Sequence, residues 1–286
     1  KSIEFISTFI NREYNLFENS YKHNKGVNAY EIELEDYVIE KINNSELKKV
    51  EGLPYWYLEI ENIWPDDFYQ QILNNIPQDK SIYRPLSSKY KDRFKYELGY
   101  GENCDKPLAK LENMSGEQKS FWKSFQQHFV VNNQFTESVL NKYKEYIHWN
   151  SLHDYKQNCR LSKDLKGYSI GVHSDRRNKV FSALFYTPKN YNESMKYEWG
   201  TQILKPKKNN HQHNSEIHSA YNTDGTHNEF ELYKWIECKP NSFFSWVVTQ
   251  QSYHGVPPIK IEGVRDSIAF FVKATGNWKS RKLYGE

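Results

Sequence analysis

Between residues 156 and 273 the chain breaks into short runs rich in β-branched, aromatic and alternating residues, at about 156–162, 168–173, 179–187, 200–204, 230–238, 242–248, 252–256 and 265–273. Turn signals separate them: Lys166-Gly167, Pro188-Lys189-Asn190, Asp224-Gly225, Pro240-Asn241 and Glu262-Gly263. Runs this short, with no helical pattern between them, predict antiparallel strands, because parallel strands need long crossovers. This feature constrains the fold more than any other.

Ahead of residue 150 the grain is helical. Ile3, Phe5, Ile6, Phe9 and Ile10 fall at roughly helical spacing, and a second weakly helical stretch covers Leu34 to Ile42. The texture changes near 53, where Tyr55-Trp56-Tyr57-Leu58-Glu59-Ile60 reads as a strand. Pro65-Asp66-Asp67 then opens a helix through about Asn75, since proline and acidic residues suit a helix start. Residues 81–112 lack clear periodicity and read as a long irregular segment. Ser115 and Gln118 form a capping box ahead of the apolar face Phe121, Trp122, Phe125 and Phe129, and a further helix buries Phe135, Val139, Leu140, Tyr143 and Ile147. Helices followed by many strands predict an α+β, mainly β class: an antiparallel sandwich with N-terminal helices packed outside. The chain divides into an N-terminal helical extension, 1–52, and a main domain, 53–286.

Composition excludes several roles. The net charge is +3, from 39 basic and 36 acidic residues, and the nearest basic patch, Lys205-Pro206-Lys207-Lys208, lies in an Asn/His-rich loop. No nucleic-acid partner is expected. Cys104, Cys159 and Cys238 are too few and too scattered for a disulfide framework or a cysteine zinc site, which favours a reducing, cytoplasmic setting. No apolar run approaches the ~18 residues that span a bilayer, and no signal-peptide pattern opens the sequence. No membrane partner is expected either.

The chemistry concentrates in His173-Ser174-Asp175, His254 and Arg265-Asp266-Ser267. In a strand, residues i and i+2 point to the same face, so His173 and Asp175 at a strand end can reach one metal. A neighbouring strand must supply the third ligand, and His254, in Ser252-Tyr253-His254-Gly255-Val256, fits. Two histidines and one carboxylate form the facial triad of non-haem Fe(II) sites, which leaves coordination positions open. After the turn at Glu262-Gly263, Arg265 and Ser267 return beside the metal, and a guanidinium with a nearby hydroxyl suits a ligand that ends in a carboxylate.

This order and spacing resemble the Fe(II)/2-oxoglutarate-dependent dioxygenase superfamily, in its prolyl 4-hydroxylase-like branch. The likeness covers about 155–275 and includes Trp199-Gly200-Thr201-Gln202 and Asn241-Ser242-Phe243-Phe244. It implies a double-stranded β-helix (jelly-roll) core with His173, Asp175 and His254 on Fe(II). It implies 2-oxoglutarate as co-substrate, its C5 carboxylate on Arg265 and Ser267, with O2 consumed and succinate and CO2 released as an unactivated C–H is hydroxylated. Halogenating relatives lack the carboxylate that Asp175 supplies, so hydroxylation or a related oxidation is expected.

Around this centre, Tyr168 and Tyr186 are candidate hydroxyl donors to 2-oxoglutarate, with aromatic core packing an equal alternative. Lys179, Gln202 and Trp246 are candidate pocket lining. Arg177, Arg160, Arg93 and Arg84 are candidates for an anionic substrate, each competing with ordinary surface pairing. His211, His213, His218 and His227 lack a Cys or carboxylate partner for zinc and read as an exposed loop, within a stretch, 206–229, that could cover the site. The expected substrate is a small molecule or carrier-tethered metabolite. The alternatives are a hydroxylase of protein prolyl or lysyl residues and a metal-binding jelly-roll without turnover.

Overall fold

Helix starts and turn residues in the sequence account for the element order of the computed structural model, which describes residues 29–88, 90–99, 109–148, 155–208, 219–277 and 282–284. The helical reading of Ile3 to Ile10 lies outside them. Helix α1 (Ala29–Asn44) buries Leu34, Val38 and Ile42, one turn apart along a single stripe. The two-residue strand β1 (Lys48–Lys49) pairs with β2 (Trp56–Glu61). Pro65 then leads into α2 (Asp66–Asn75) with φ −53°, already helical, and Asp66 and Asp67 sit at the positive end of the helix dipole.

Residues 81–112 are not irregular throughout. They contain β3 (Arg84–Ser87) and β4 (Tyr90–Gly99), an antiparallel pair at the sheet edge. The expectation failed because β4 carries charged residues on its inward face, where a buried strand ordinarily carries apolar ones. Arg93 meets Asp164 on the next strand, and Lys95 bridges Glu97 on its own. Next, α3 (Gly116–Gln126) starts on the capping box: Ser115 Oγ accepts from the Gln118 amide at 3.2 Å and Gln118 Oε1 accepts from the Ser115 amide at 3.1 Å. A five-residue π-turn, Gln127–Val131, separates it from α4 (Gln134–Tyr143).

The strand-rich part then runs β5 (Tyr155–Leu165), β6 (Ile170–His173), β7 (Lys179–Tyr186), the single-turn α5 (Met195–Glu198), β8 (Thr201–Pro206), β9 (Phe230–Ile236), β10 (Ser242–Val247), β11 (His254–Val256) and β12 (Val264–Ala274). Every expected run from 156 onward holds a strand. All pairings are antiparallel, in an eight-stranded sheet of order β1-β2-β10-β7-β12-β5-β4-β3 and a four-stranded sheet of order β6-β11-β8-β9.

Alternation along the large sheet sorts its side chains into two layers. Phe185, Phe243, Ile268, Phe270 and Val272 face the helices, in one core with Trp64, Phe129, Phe135 and Val139. Trp64 stacks on Phe185 with ring centroids 4.4 Å apart. Leu184, Tyr186, Phe244, Trp246, Ala269 and Phe271 face the small sheet and share a second core with Ile203, Ile236 and Val256. Each large apolar side chain among them contributes roughly 1.5–3 kcal/mol through burial, so both layers are held by apolar area. Asn241 turns the chain into β10 at φ 56°, a conformation asparagine tolerates, and its amide bonds both the N–H and the C=O of Trp64 (3.1 and 2.8 Å).

Candidate active site

His173 closes β6 and His254 opens β11, and the antiparallel register places the two opposite each other with ring centroids 4.4 Å apart. Asp175 follows two residues after His173. The three offer ligand atoms that all lie within 4.8 Å of one another, and the residues are 7%, 5% and 6% exposed. The expected triad is therefore assembled and largely shielded from water.

Backbone carbonyls fix the imidazoles. His173 Nδ1 lies 2.8 Å from the Gly171 carbonyl and His254 Nδ1 lies 3.0 Å from the Ser252 carbonyl. A carbonyl has no proton to give, so each Nδ1 carries the hydrogen and each Nε2 keeps its lone pair for a metal. Burial pulls the His254 pKa down against the attraction of Asp175, which keeps its ring neutral. Asp175 is held by Lys179 Nζ at 2.5 Å and by Ser182 Oγ at 2.6 Å. Burial alone would push its carboxyl up; Lys179 and the two histidines outweigh that and hold it well below the usual carboxylate range. Two lone-pair nitrogens and one ionised carboxylate suit a divalent ion of the Fe(II) type.

Across the interlayer space, β12 presents Arg265 and Ser267 on the face that carries Ala269 and Phe271. Arg265 is fully buried. Its Nε donates to the Trp199 carbonyl, one terminal nitrogen to Asp164 Oδ2 at 2.5 Å, and the other to Thr201 Oγ1 at 3.2 Å. At least three of its five N–H groups are thus engaged, and Tyr186 also interacts with the guanidinium. Asp164 also takes a bidentate pair from Arg93, at 2.5 and 2.6 Å, so one carboxylate sits between two guanidiniums. Tyr186 bonds Thr201 Oγ1 at 2.7 Å, and Arg265 lies over its ring at 5.2 Å.

Several buried polar atoms around this space have no hydrogen-bond partner: Ser267 Oγ, Tyr168 Oη, Tyr55 Oη and Trp246 Nε1. Orphaned donors at such density demand a partner, since each unmade bond costs about 1–3 kcal/mol. A carboxylate against Arg265, Ser267 and Tyr168 would satisfy three groups at once. The residues present fit 2-oxoglutarate as they fit the metal.

The remaining candidates are dispersed. Trp246 packs against His254 at 4.4 Å. Arg93 faces the Tyr168 ring at 4.1 Å but is committed to Asp164. Arg84 stands on the edge strand with its side chain 63% exposed, bridged to Glu97 and away from the triad. Arg177 is half-buried in the turn after Asp175, and Gln202 is buried on β8. Sequence reasoning missed Tyr55, Thr201 and Asp164. Thr201 stood within the Trp199-Gly200-Thr201-Gln202 stretch without a role of its own, and Asp164 fell just past the run expected at about 156–162, in a strand that extends to Leu165.

Residues 209–218, with His211, His213 and His218, lie outside the described residues. His227 is buried rather than exposed, its Nδ1 accepting from the amides of Glu229 and Phe230 at 3.0 and 3.2 Å. The described end of that stretch packs on the outer face of the small sheet: Ser219 bridges Val172, and Tyr221 covers Gly255. A Cβ on Gly255 would lie 3.0 Å from the Ile170 carbonyl and collide with the Tyr221 hydroxyl. Gly255→Ala is expected to lower stability by about 1–3 kcal/mol in urea unfolding, with part recovered in the Tyr221→Phe background.

No protein-family model matches the sequence, and no curated protein matches it. Among solved structures the fold is similar to a prolyl-4-hydroxylase from Pseudomonas putida (9% identity, 83% of this chain and 97% of that one, TM-score 0.46). It is also similar to an oxidoreductase of the 2OG-Fe(II) oxygenase family from Burkholderia pseudomallei (11% identity, 92% and 97%, TM-score 0.47). A third is HygX from Streptomyces hygroscopicus, with nickel and 2-oxoglutarate bound (9% identity, 77% and 83%, TM-score 0.44).

Proposed function

We propose that the protein is an Fe(II)- and 2-oxoglutarate-dependent oxygenase that hydroxylates an unactivated C–H of a small-molecule or carrier-tethered metabolite. The two sheets would then be the jelly-roll of that superfamily, with 53–286 as the oxygenase domain and 1–52 as its extension. One observation carries the reading: the buried His173–Asp175–His254 group stands at one end of an interlayer space whose other end holds Arg265 with orphaned hydroxyls beside it. Iron and 2-oxoglutarate, when bound, would supply the oxygen-activating chemistry and release succinate and CO2.

The chain's own residues supply the rest. His173 and His254 offer Nε2, and Ser182 and Lys179 orient the Asp175 carboxylate. Arg265, set by Asp164, Trp199 and Thr201, would take the distal carboxylate with Ser267 and Tyr168. The apolar wall of Leu184, Ala269, Phe271 and Trp246 would exclude water. No helix among the described residues is long and apolar enough to cross a membrane. The free, buried thiols of Cys159 and Cys238 support a reducing, cytoplasmic location.

The test is succinate formation from 2-oxoglutarate with Fe(II) and O2, with no added substrate. Slow uncoupled turnover is expected; none, with metal demonstrably bound, would leave a metal-binding jelly-roll module. Metal should also stabilise the fold: at a hundredfold excess over Kd, mass action contributes about 2.7 kcal/mol. Chelation is expected to lower Tm by roughly 5–10 °C. An unchanged Tm after chelation would count against a resident metal.

A further inference from the structure

On the inner face of β5, Arg160 stands apart from the other buried cations. Its guanidinium carbon lies 5.0 Å from the centroid of the Phe271 ring, and Lys179 Nζ lies 4.1 Å from the same centroid while bonded to Asp175. Arg160 is thus one aromatic ring away from the metal ligands. It is half-buried, so solvent reaches it, yet its Nε is fully buried and has no hydrogen-bond partner.

The nearby carboxylates do not answer it. Asp164 is committed to Arg93 and Arg265. Glu97 stands opposite Arg160 in the strand register, but its Oε1 is shared by Lys95 at 3.0 Å and Arg84 at 3.3 Å, and no hydrogen bond joins it to Arg160. Burial and the neighbouring Arg93 together pull the Arg160 pKa down, against the pull of Glu97. Glu97 thus attracts Arg160 across the strands without bonding it, and Glu97 Oε2 and Arg160 Nε are both buried without a hydrogen-bond partner. A guanidinium beside an aromatic ring, with an N–H to spare, suits a carboxylate or phosphate.

We propose that Arg160 receives an anionic group, a carboxylate or phosphate, on the substrate, so that the molecule oxidised here is a small acid. This rests on the oxygenase reading and narrows its substrate class.

The experiment uses the full chain loaded with Mn(II) and 2-oxoglutarate, with inorganic phosphate and 13C-labelled acetate as separate probes of the two anion types. Metal loading is read from the Mn(II) EPR signal, and probe binding from paramagnetic relaxation of the 31P or 13C nucleus. At least one probe is expected to relax strongly with the wild-type protein. Its affinity should fall about tenfold or more in Arg160→Ala, as expected for loss of a charge-assisted hydrogen bond, and recover partly in Arg160→Lys. Glu97→Gln, which removes the competing carboxylate, should tighten binding, a gain that a structural role for Arg160 would not give. The proposal is overturned if Arg160→Ala, still folded by circular dichroism, relaxes the probe as the wild type does, because the anion is then on the metal. It is equally overturned if neither probe relaxes with Mn(II) bound. Failure of the protein to take up Mn(II) would instead defeat the oxygenase reading itself.

Discussion

Asp175→Asn is expected to abolish succinate formation and to weaken Mn(II) or Fe(II) binding by more than about 100-fold. Loss of groups that merely orient a ligand already costs 10–100-fold. Asparagine keeps the shape of the side chain and an acceptor for Ser182 Oγ, so the change isolates the charge. That charge is doubly held, by Lys179 at 2.5 Å and Ser182 at 2.6 Å, and faces two imidazoles whose Nδ1 atoms are already occupied by carbonyls. Metal titration followed by EPR separates the two readings of the cluster. If Asp175→Asn binds metal like the wild type, the three residues are only a packed polar group.

The second large effect lies at the far end of the site. Asp164→Asn leaves Arg93 and Arg265 buried together without the carboxylate between them, and breaking a buried pair in this way costs about 3–5 kcal/mol. For a domain of this size the expected fall in Tm is roughly 10 °C. Arg93→Gln in the same chain should restore part of it, and a double-mutant cycle measures the coupling. The pH dependence has a definite sign. The two arginines, acting against burial, hold the Asp164 carboxyl below its ordinary value, so its contribution is fully present above the unfolded value of about 4 and is lost as pH falls through the folded one. Wild type and Asp164→Asn should therefore differ most near neutrality and converge in acid. A difference independent of pH would refute the ionic account. With 2-oxoglutarate as the titrant, the same variant should show a raised KM, because Arg265 loses one of its three anchors.

Much of the metal half was legible because strand geometry imposes it. His173 ends β6 and Asp175 comes two residues later in the turn, close enough to share one ligand cluster, and the turn at Glu262-Gly263 leads Arg265 into β12. The anchors of Arg265 were not legible. Asp164 is brought to it by the β5–β12 register, while Thr201 and the Trp199 carbonyl come from the opposite layer, and no spacing in the sequence encodes either meeting. Strand β4 was missed for a related reason. Arg93, Lys95 and Glu97 point inward, yet read as surface residues until Asp164, Ser162 and Arg160 are placed opposite them. Tyr55 was absorbed into an aromatic strand signal, and only its buried, unbonded hydroxyl marks it out.

The candidate metal ligands hang from the four-stranded sheet and its flanking turn, whereas Arg265 and Ser267, the proposed carboxylate cradle, rise from the eight-stranded one. Polar stitches cross the gap: Asp175 to Lys179 and Ser182, Thr201 to Tyr186 and Arg265, the Trp199 carbonyl to Arg265, and Lys234 to Glu59. The site is consequently a property of the interface between layers and of neither layer alone. A loosened state that kept both sheets but let their packing slacken would retain its far-UV dichroism and lose the fixed span between metal and cradle. Turnover in this protein should thus serve as a gauge of tertiary order, failing earlier along a denaturant gradient than the backbone signal does.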